Sequence, residues 1–203
     1  MENKDLKTSI GHAVLTHLLN VGIDVAALIE DMTAPTHDAT RGVALPTSAA
    51  AVRTRILDGR AILVTTETEF VAFASIVELV PGWHELSTVI VAPNFRRHHI
   101  ARQVLYPLIV ELHDQLGGNM FGTTKWKWLV PFGESFGLFP VPFARIPAAP
   151  RAKLCNEASC FRPGGKDGGC LNERVWPLGV NSEDPGKGVP CWVRMRTVGL
   201  LPG

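Results

Sequence analysis

Long hydrophobic runs are missing from this chain: its apolar stretches are too short and too interrupted to cross a bilayer, so no membrane is expected as a partner. An excess of one charge is missing as well. The formal net charge of +1 leaves no electrostatic footprint for nucleic acid. The start, Met1-Glu2-Asn3-Lys4-Asp5, has no apolar signal-peptide core, and the expectation is a cytoplasmic protein with reduced thiols. Cysteine does not occur before residue 155, and Cys155, Cys160, Cys170 and Cys191 lack the paired short spacing of common zinc sites. No histidine follows His113, so zinc in that segment would need all four thiolates. Unlinked thiols are expected ahead of zinc or disulfides, and no metal is assigned. Tyrosine occurs once, at Tyr106. What is present, 46% hydrophobic against 19% charged residues over 203 positions, fits one globular domain with an appendage, as a monomer or homodimer.

The most informative stretch lies mid-chain. Trp83 to Val91 reads as a strand, β-branched from Thr88 to Val91, with Pro81-Gly82 as the turn before it. Ile100, Val104, Leu108, Leu112 and Leu116 then repeat every four residues, with Leu105 and Ile109 alongside, until Gly117-Gly118 ends a helix. Pro107 removes one of that helix's hydrogen bonds and is expected to kink it. A strand end feeding a helix start gathers unpaired N–H groups and the positive end of the helix dipole at one point, where an anion such as phosphate binds. Arg96, Arg97, His98 and His99 add positive charge there.

At Arg96-Arg97-His98-His99-Ile100-Ala101 the chain resembles the GNAT superfamily of acyl-CoA-dependent N-acyltransferases. That family carries (Gln or Arg)-x-x-Gly-x-(Gly or Ala) between its fourth strand and third helix, with backbone amides cradling the pyrophosphate of coenzyme A. His99 stands where the family has glycine. The neighbouring elements follow the family's order: Arg60 to Thr66 and Phe70 to Leu79 look like its second and third strands, joined by a turn at Glu67-Thr68-Glu69. Residues 60 to 91 then form an antiparallel meander, and Asn119 to Thr124 is a fifth strand returning parallel to the fourth across the helix. The resemblance covers about residues 45 to 146. It implies an α/β fold with a GNAT-like mixed, mostly antiparallel sheet flanked by helices.

Toward the ends the pattern is looser. Ser9 is expected to cap a helix to about Asn20, Asp24 a short one carrying Val25, Leu28, Ile29 and Met32, and Thr47 or Ser48 a third to Asp58. Phe132 to Phe139 resembles the family's fourth helix. Nine of the 15 prolines lie from Pro140 onward, so 147–190 is expected to be an irregular Cys/Pro/Gly-rich elaboration between strands at Val141–Ile146 and Cys191–Val198.

The resemblance implies acetyl-CoA as cosubstrate and a small-molecule amine as acceptor, with transfer by direct attack on the thioester. Pyrophosphate would sit at Arg96, Arg97, His98, His99, Ile100 and Ala101, and Val89, Ile90 and Val91 would line the acyl-CoA. Glu85 lies on the fourth strand where some members place a glutamate base, and counting by twos puts Ser87, Val89 and Val91 on its face. Apolar walls there would raise its pKa. Many members protonate the leaving thiolate with a fourth-helix tyrosine; Phe132-Gly133-Glu134-Ser135-Phe136 has none, leaving Ser135 or water. Trp126 and Trp128 either line an acceptor pocket or pack in the core, and His37 either touches substrate or is a surface residue. The missing tyrosine and His99 also suit a non-catalytic acyl-CoA sensor, and the Cys-rich tail suits a protein-interaction module.

Overall fold

The computed structural model describes residues 7–9, 24–34, 47–124, 133–140, 147–154 and 192–197. The chain forms two compact units, Met1–Val77 with Ser87–Gln115 and Glu78–Leu86 with Leu116–Gly203.

In the first unit, β1 (Lys7–Ser9) pairs antiparallel with β2 (Ala61–Thr65), Lys7 opposite Thr65. Sequence periodicity gave no sign of β1. Ser9 was expected as a helix cap; it ends this strand, and the helix to Asn20 lies outside the described residues. β2 folds back antiparallel on β3 (Phe70–Val80), with the turn closed by Thr66 N–H donating to the Glu69 carbonyl at 3.0 Å. Every residue of β2, and Phe70 to Ile76 of β3, is buried. Their near-continuous apolar runs are what a sheet covered on both faces requires. β4 (Trp83–Val91) follows β3 through Pro81-Gly82, with Gly82 at φ 74, the left-handed position that glycine takes after proline in a type II turn. Ala92 N–H returns to the Val71 carbonyl at 2.9 Å, so the two strands run antiparallel.

Helix α1 (Val25–Thr33) starts at Asp24, whose carboxylate accepts from Ala26 and Ala27 N–H at 3.1 Å and from Arg53 Nη2 at 2.6 Å. Above all, the Ala27 amide holds that carboxyl below its ordinary range. Leu28 departs from the expected stripe and is 36% exposed, while Val25, Ile29 and Met32 are buried. Helix α2 (Ala49–Leu57) packs on α1 and is capped by Ser48, which accepts from Ala51 N–H. Thr47, the other candidate cap, turns its hydroxyl elsewhere.

Helix α3 opens with a π-turn, Ala101–Leu105, and continues as α-helix over Tyr106–Leu116. Tyr106 N–H reaches back five residues to the Ala101 carbonyl. The wide turn directly precedes Pro107, whose ring carries no N–H and crowds the carbonyl four residues earlier. One extra residue in a turn rotates everything after it. The buried stripe therefore runs Ile100, Leu105, Ile109, Leu112, while Val104, Leu108 and Leu116 of the four-residue repeat are only half-buried.

In the second unit, β5 (Asn119–Thr124) runs parallel to β4, with Trp83 opposite Asn119 and Leu86 opposite Gly122. The Trp83 and Phe121 rings stack at 5.2 Å and 16°. The short β6 (Phe139–Pro140) pairs antiparallel with β7 (Trp192–Thr197), which pairs antiparallel with β5. Thus the expected strand Cys191–Val198 is found at Trp192–Thr197, whereas 141–146 lies outside the described residues. Within the stretch expected to be irregular, Ala148–Leu154 is helical. Pro150 falls in its first turn, where its missing N–H has no helical partner to lose. No helix among the described residues is long and apolar enough to cross a membrane.

Candidate functional site

The centre of β4 is bent on purpose. Thr88 has φ 52, an outlying conformation for a β-branched residue. Its hydroxyl lies 2.9 Å from Thr47 Oγ1 and 3.2 Å from Ser87 Oγ, and it accepts from Arg55 Nη1 at 3.2 Å. The same Nη1 donates to Ser75 Oγ at 3.2 Å, and Ser75 Oγ donates to the Ser87 carbonyl at 3.2 Å. Thr47 is itself anchored, its N–H donating to Thr33 Oγ1 at 3.1 Å. A strained non-glycine residue costs about 1–3 kcal/mol. A hydrogen bond contributes about 0.5–1.5 kcal/mol net, and more when one partner is charged, so these contacts suffice to hold the bulge.

Beyond Thr88, no described strand pairs with the edge of β4 that faces away from β3. Its ladder with β5 ends at Leu86 opposite Gly122, although β4 runs on to Val91. Because Ala92 N–H faces β3, alternation turns the Val89 and Val91 amides to the other edge and Ile90's toward β3. The Val91 carbonyl on that edge accepts from Arg96 Nε at 3.1 Å.

The chain then leaves β4 through a 3₁₀ turn, Pro93–Phe95, pinned by the buried Phe95 ring. Arg97 at φ 67 and His99 at φ 59 are both left-handed, and Ile100, 2% exposed, locks the start of α3. Left-handed His99 followed by right-handed Ile100 is a pairing of backbone conformations that makes a concave nest of N–H groups, and the first amides of a helix have no helical acceptor behind them. Arg96, Arg97, His98 and His99 are all exposed around it. At His99 the structure explains the glycine of the resembling motif: the position demands positive φ, which glycine adopts freely and histidine more readily than most.

Glu85 is half-buried and the neighbouring His84 is buried. Glu85, Ser87, Val89 and Val91 are half-buried alike and Thr88 and Ile90 buried, yet Thr88 departs from regular extension between them. Neighbouring hydroxyls of Ser87 and Thr88 touch at 3.2 Å, which successive residues of a regular strand cannot do, so the bulge interrupts the alternation. Ser135 is exposed in a helix end closed by Leu138 N–H to the Gly133 carbonyl (3.1 Å) and Gly137 N–H to the Glu134 carbonyl (3.0 Å). That pair of bonds, with Gly137 at φ 78 and Leu138 buried, is a Schellman ending. The only tyrosine, Tyr106, is 8% exposed, and burial pushes its phenol up to about 12. His37, Trp126, Trp128 and the four cysteines lie outside the described residues. Among the described residues no group of His, Cys, Asp or Glu is arranged to hold a metal. Sequence reading missed Arg55 and Ser75 altogether and offered Thr47 only as a helix cap; the one local hint was the hydroxyl pair Ser87-Thr88 inside an apolar strand.

Residues 26–124 match the model of the acetyltransferase (GNAT) family. No curated protein matches the chain. Solved structures of similar fold include N-acetylglutamate synthase from Neisseria gonorrhoeae, complexed with coenzyme A and N-acetyl-glutamate, at TM-score 0.56 and 12% identity. That match covers 96% of this chain but 35% of the Neisseria chain, so this chain spans about a third of its length. A Mycobacterium tuberculosis protein in complex with CoA matches at TM-score 0.58 and 12% identity, over 96% of this chain and 99% of that one. A GNAT family acetyltransferase from Elizabethkingia anophelis with acetyl-CoA bound has TM-score 0.50 and 9% identity, over 96% and 99%.

Proposed function

Residues 26–124 belong to the acetyltransferase (GNAT) family, and from that premise we propose that the chain moves an acetyl group from acetyl-CoA to the amine of a small acceptor by direct attack on the thioester. The observation that carries this reading is the backbone of Arg96–Ala101, where left-handed Arg97 and His99 lead into a helix start, a conformation suited to an anion. A pyrophosphate is the anion that the cosubstrate brings, and Arg96 and Arg97 lie where they would meet it. The Val89 and Val91 amides, on the edge of β4 that faces away from β3, suit the thioester carbonyl and the oxyanion that forms on it.

In the proposed reaction Glu85 takes a proton from the acceptor ammonium, directly or through water. The amine nitrogen then bonds to the carbonyl carbon while the carbon–sulfur bond breaks. The thiolate leaves and takes a proton from water or from Ser135, and the second proton of the acylated nitrogen passes to solvent to leave the neutral amide. Trp126, Trp128 and His37 remain the acceptor-side candidates. Burial of the only tyrosine favours one rival, an acyl-CoA sensor without turnover. Release of free thiol from acetyl-CoA across a panel of amines decides between them: amine-dependent release is expected, and tight CoA binding without release under any amine would support the sensor.

A further inference from the structure

Arg55 sits on α2 and reaches the strained residue of the strand that the functional reading depends on. We propose that Arg55 is a positioning residue for acyl transfer: by gripping Ser75 and Thr88 it holds the β4 bulge, and the bulge fixes the direction of the Val89 and Val91 amides.

The geometry is specific. One guanidinium nitrogen, Nη1, donates at 3.2 Å to both Ser75 Oγ on β3 and Thr88 Oγ1 on β4. Ser75 passes its own hydroxyl hydrogen to the Ser87 carbonyl at 3.2 Å, so the peptide entering the bulge is held from the same point. Ser75 is 1% exposed and Thr88 7%, which keeps water from substituting for either contact. Thr88 prefers ordinary extended backbone and stays left-handed only while its surroundings over-determine it. Loss of the guanidinium removes the one charged member of the set. A relaxed Thr88 would swing the following peptides and turn the Val89 and Val91 amides out of that direction.

This inference rests on the acetyl-CoA reading above, and its test separates the two. Carbonyl-carbon-13-labelled acetyl-CoA bound to the full chain is followed by isotope-edited infrared spectroscopy, alongside kcat, KM and calorimetric CoA affinity. Wild type should lower the thioester carbonyl frequency, and Arg55→Met should return it toward the free value. The same variant should reduce kcat by about tenfold to a hundredfold, short of the larger loss from removing an oxyanion donor outright. CoA affinity should change less than about twofold, since the hydrogen bonds described for the clamp run to Ser75, Ser87 and Thr88 and one factor of two is a small energy. Glycine adopts positive φ without a clamp, so Thr88→Gly added to Arg55→Met should restore the carbonyl shift and most of kcat.

An unchanged shift in Arg55→Met, or a lost shift that Thr88→Gly does not restore, overturns the inference. So does parallel loss of shift, CoA affinity and thermal stability, which would make Arg55 an ordinary structural residue. Binding with a carbonyl shift but no turnover overturns the functional reading alone. Failure of wild type to bind acetyl-CoA overturns both.

Discussion

His99 carries its strain without a visible reward in contacts. A left-handed conformation costs an L-residue about 1–2 kcal/mol, and replacing it by glycine returns that minus about 0.4–1 kcal/mol of added unfolded-chain freedom. His99→Gly should therefore raise stability by about 0.5–1 kcal/mol in urea unfolding. It should also tighten CoA binding, because removal of the Cβ lets backbone approach phosphate; weaker binding would make the imidazole itself a ligand. Tyr106 yields a second prediction at this scale. Its folded pKa, raised to about 12 by burial, exceeds the unfolded value near 10. Stability due to this residue is complete below pH 10 and declines as pH rises through about 12, where the unfolded chain holds fewer protons. With only one tyrosine in the chain, phenolate absorbance reports that site alone. Ionisation near pH 10 in the folded protein would contradict its burial.

Among the elements, the turn between α3 and β5 depends on two adjacent glycines for different reasons. Gly117 and Gly118 are both left-handed, at φ 75 and 76. A Cβ on Gly117 meets nothing within 4 Å, whereas one on Gly118 would lie 2.3 Å from the Gly82 carbonyl oxygen, the acceptor of Asn119 N–H. Gly117→Ala should cost about 1–2 kcal/mol for its conformation alone. Gly118→Ala should add about 1 kcal/mol or more, because the close approach and the hydrogen bond cannot both persist. Equal losses in chemical denaturation would show that the backbone shifts freely there. In α3 the π-turn accounts for a stripe displaced by one residue, and Pro107 is its physical reason.

For the whole molecule the informative variants separate binding from chemistry. Arg96→Glu combined with Arg97→Glu should weaken CoA binding by about tenfold or more in calorimetry, since each charge-assisted contact contributes over 1.4 kcal/mol. Unchanged affinity would remove the nest from the proposal. Glu85→Gln keeps shape and removes basicity, so turnover should fall by about two to four powers of ten with CoA affinity intact. A wild-type rate across the pH range where activity rises would assign the proton to another acceptor.

Much of this was legible before any coordinates, because local periodicity and turn residues act through near neighbours. The strand Trp83–Val91, the Asp24 and Ser48 caps, the hairpin turn at residues 67–69 and the parallel return to β5 all follow from such signals. So does the loop proposed to take the pyrophosphate, where a strand end, two arginines and a helix start sit within a few residues. The bulge at Thr88 was invisible for the opposite reason. Nothing in Ser87-Thr88-Val89 disfavours regular extension, and its conformation is imposed by Thr47, 41 residues away, and Arg55, 33 residues away. The face of each side chain beyond the bulge, the partner of Arg55 and the approach of Gly118 to Gly82 depend on contacts that exist only once distant segments have packed, and so only the tertiary structure decided them.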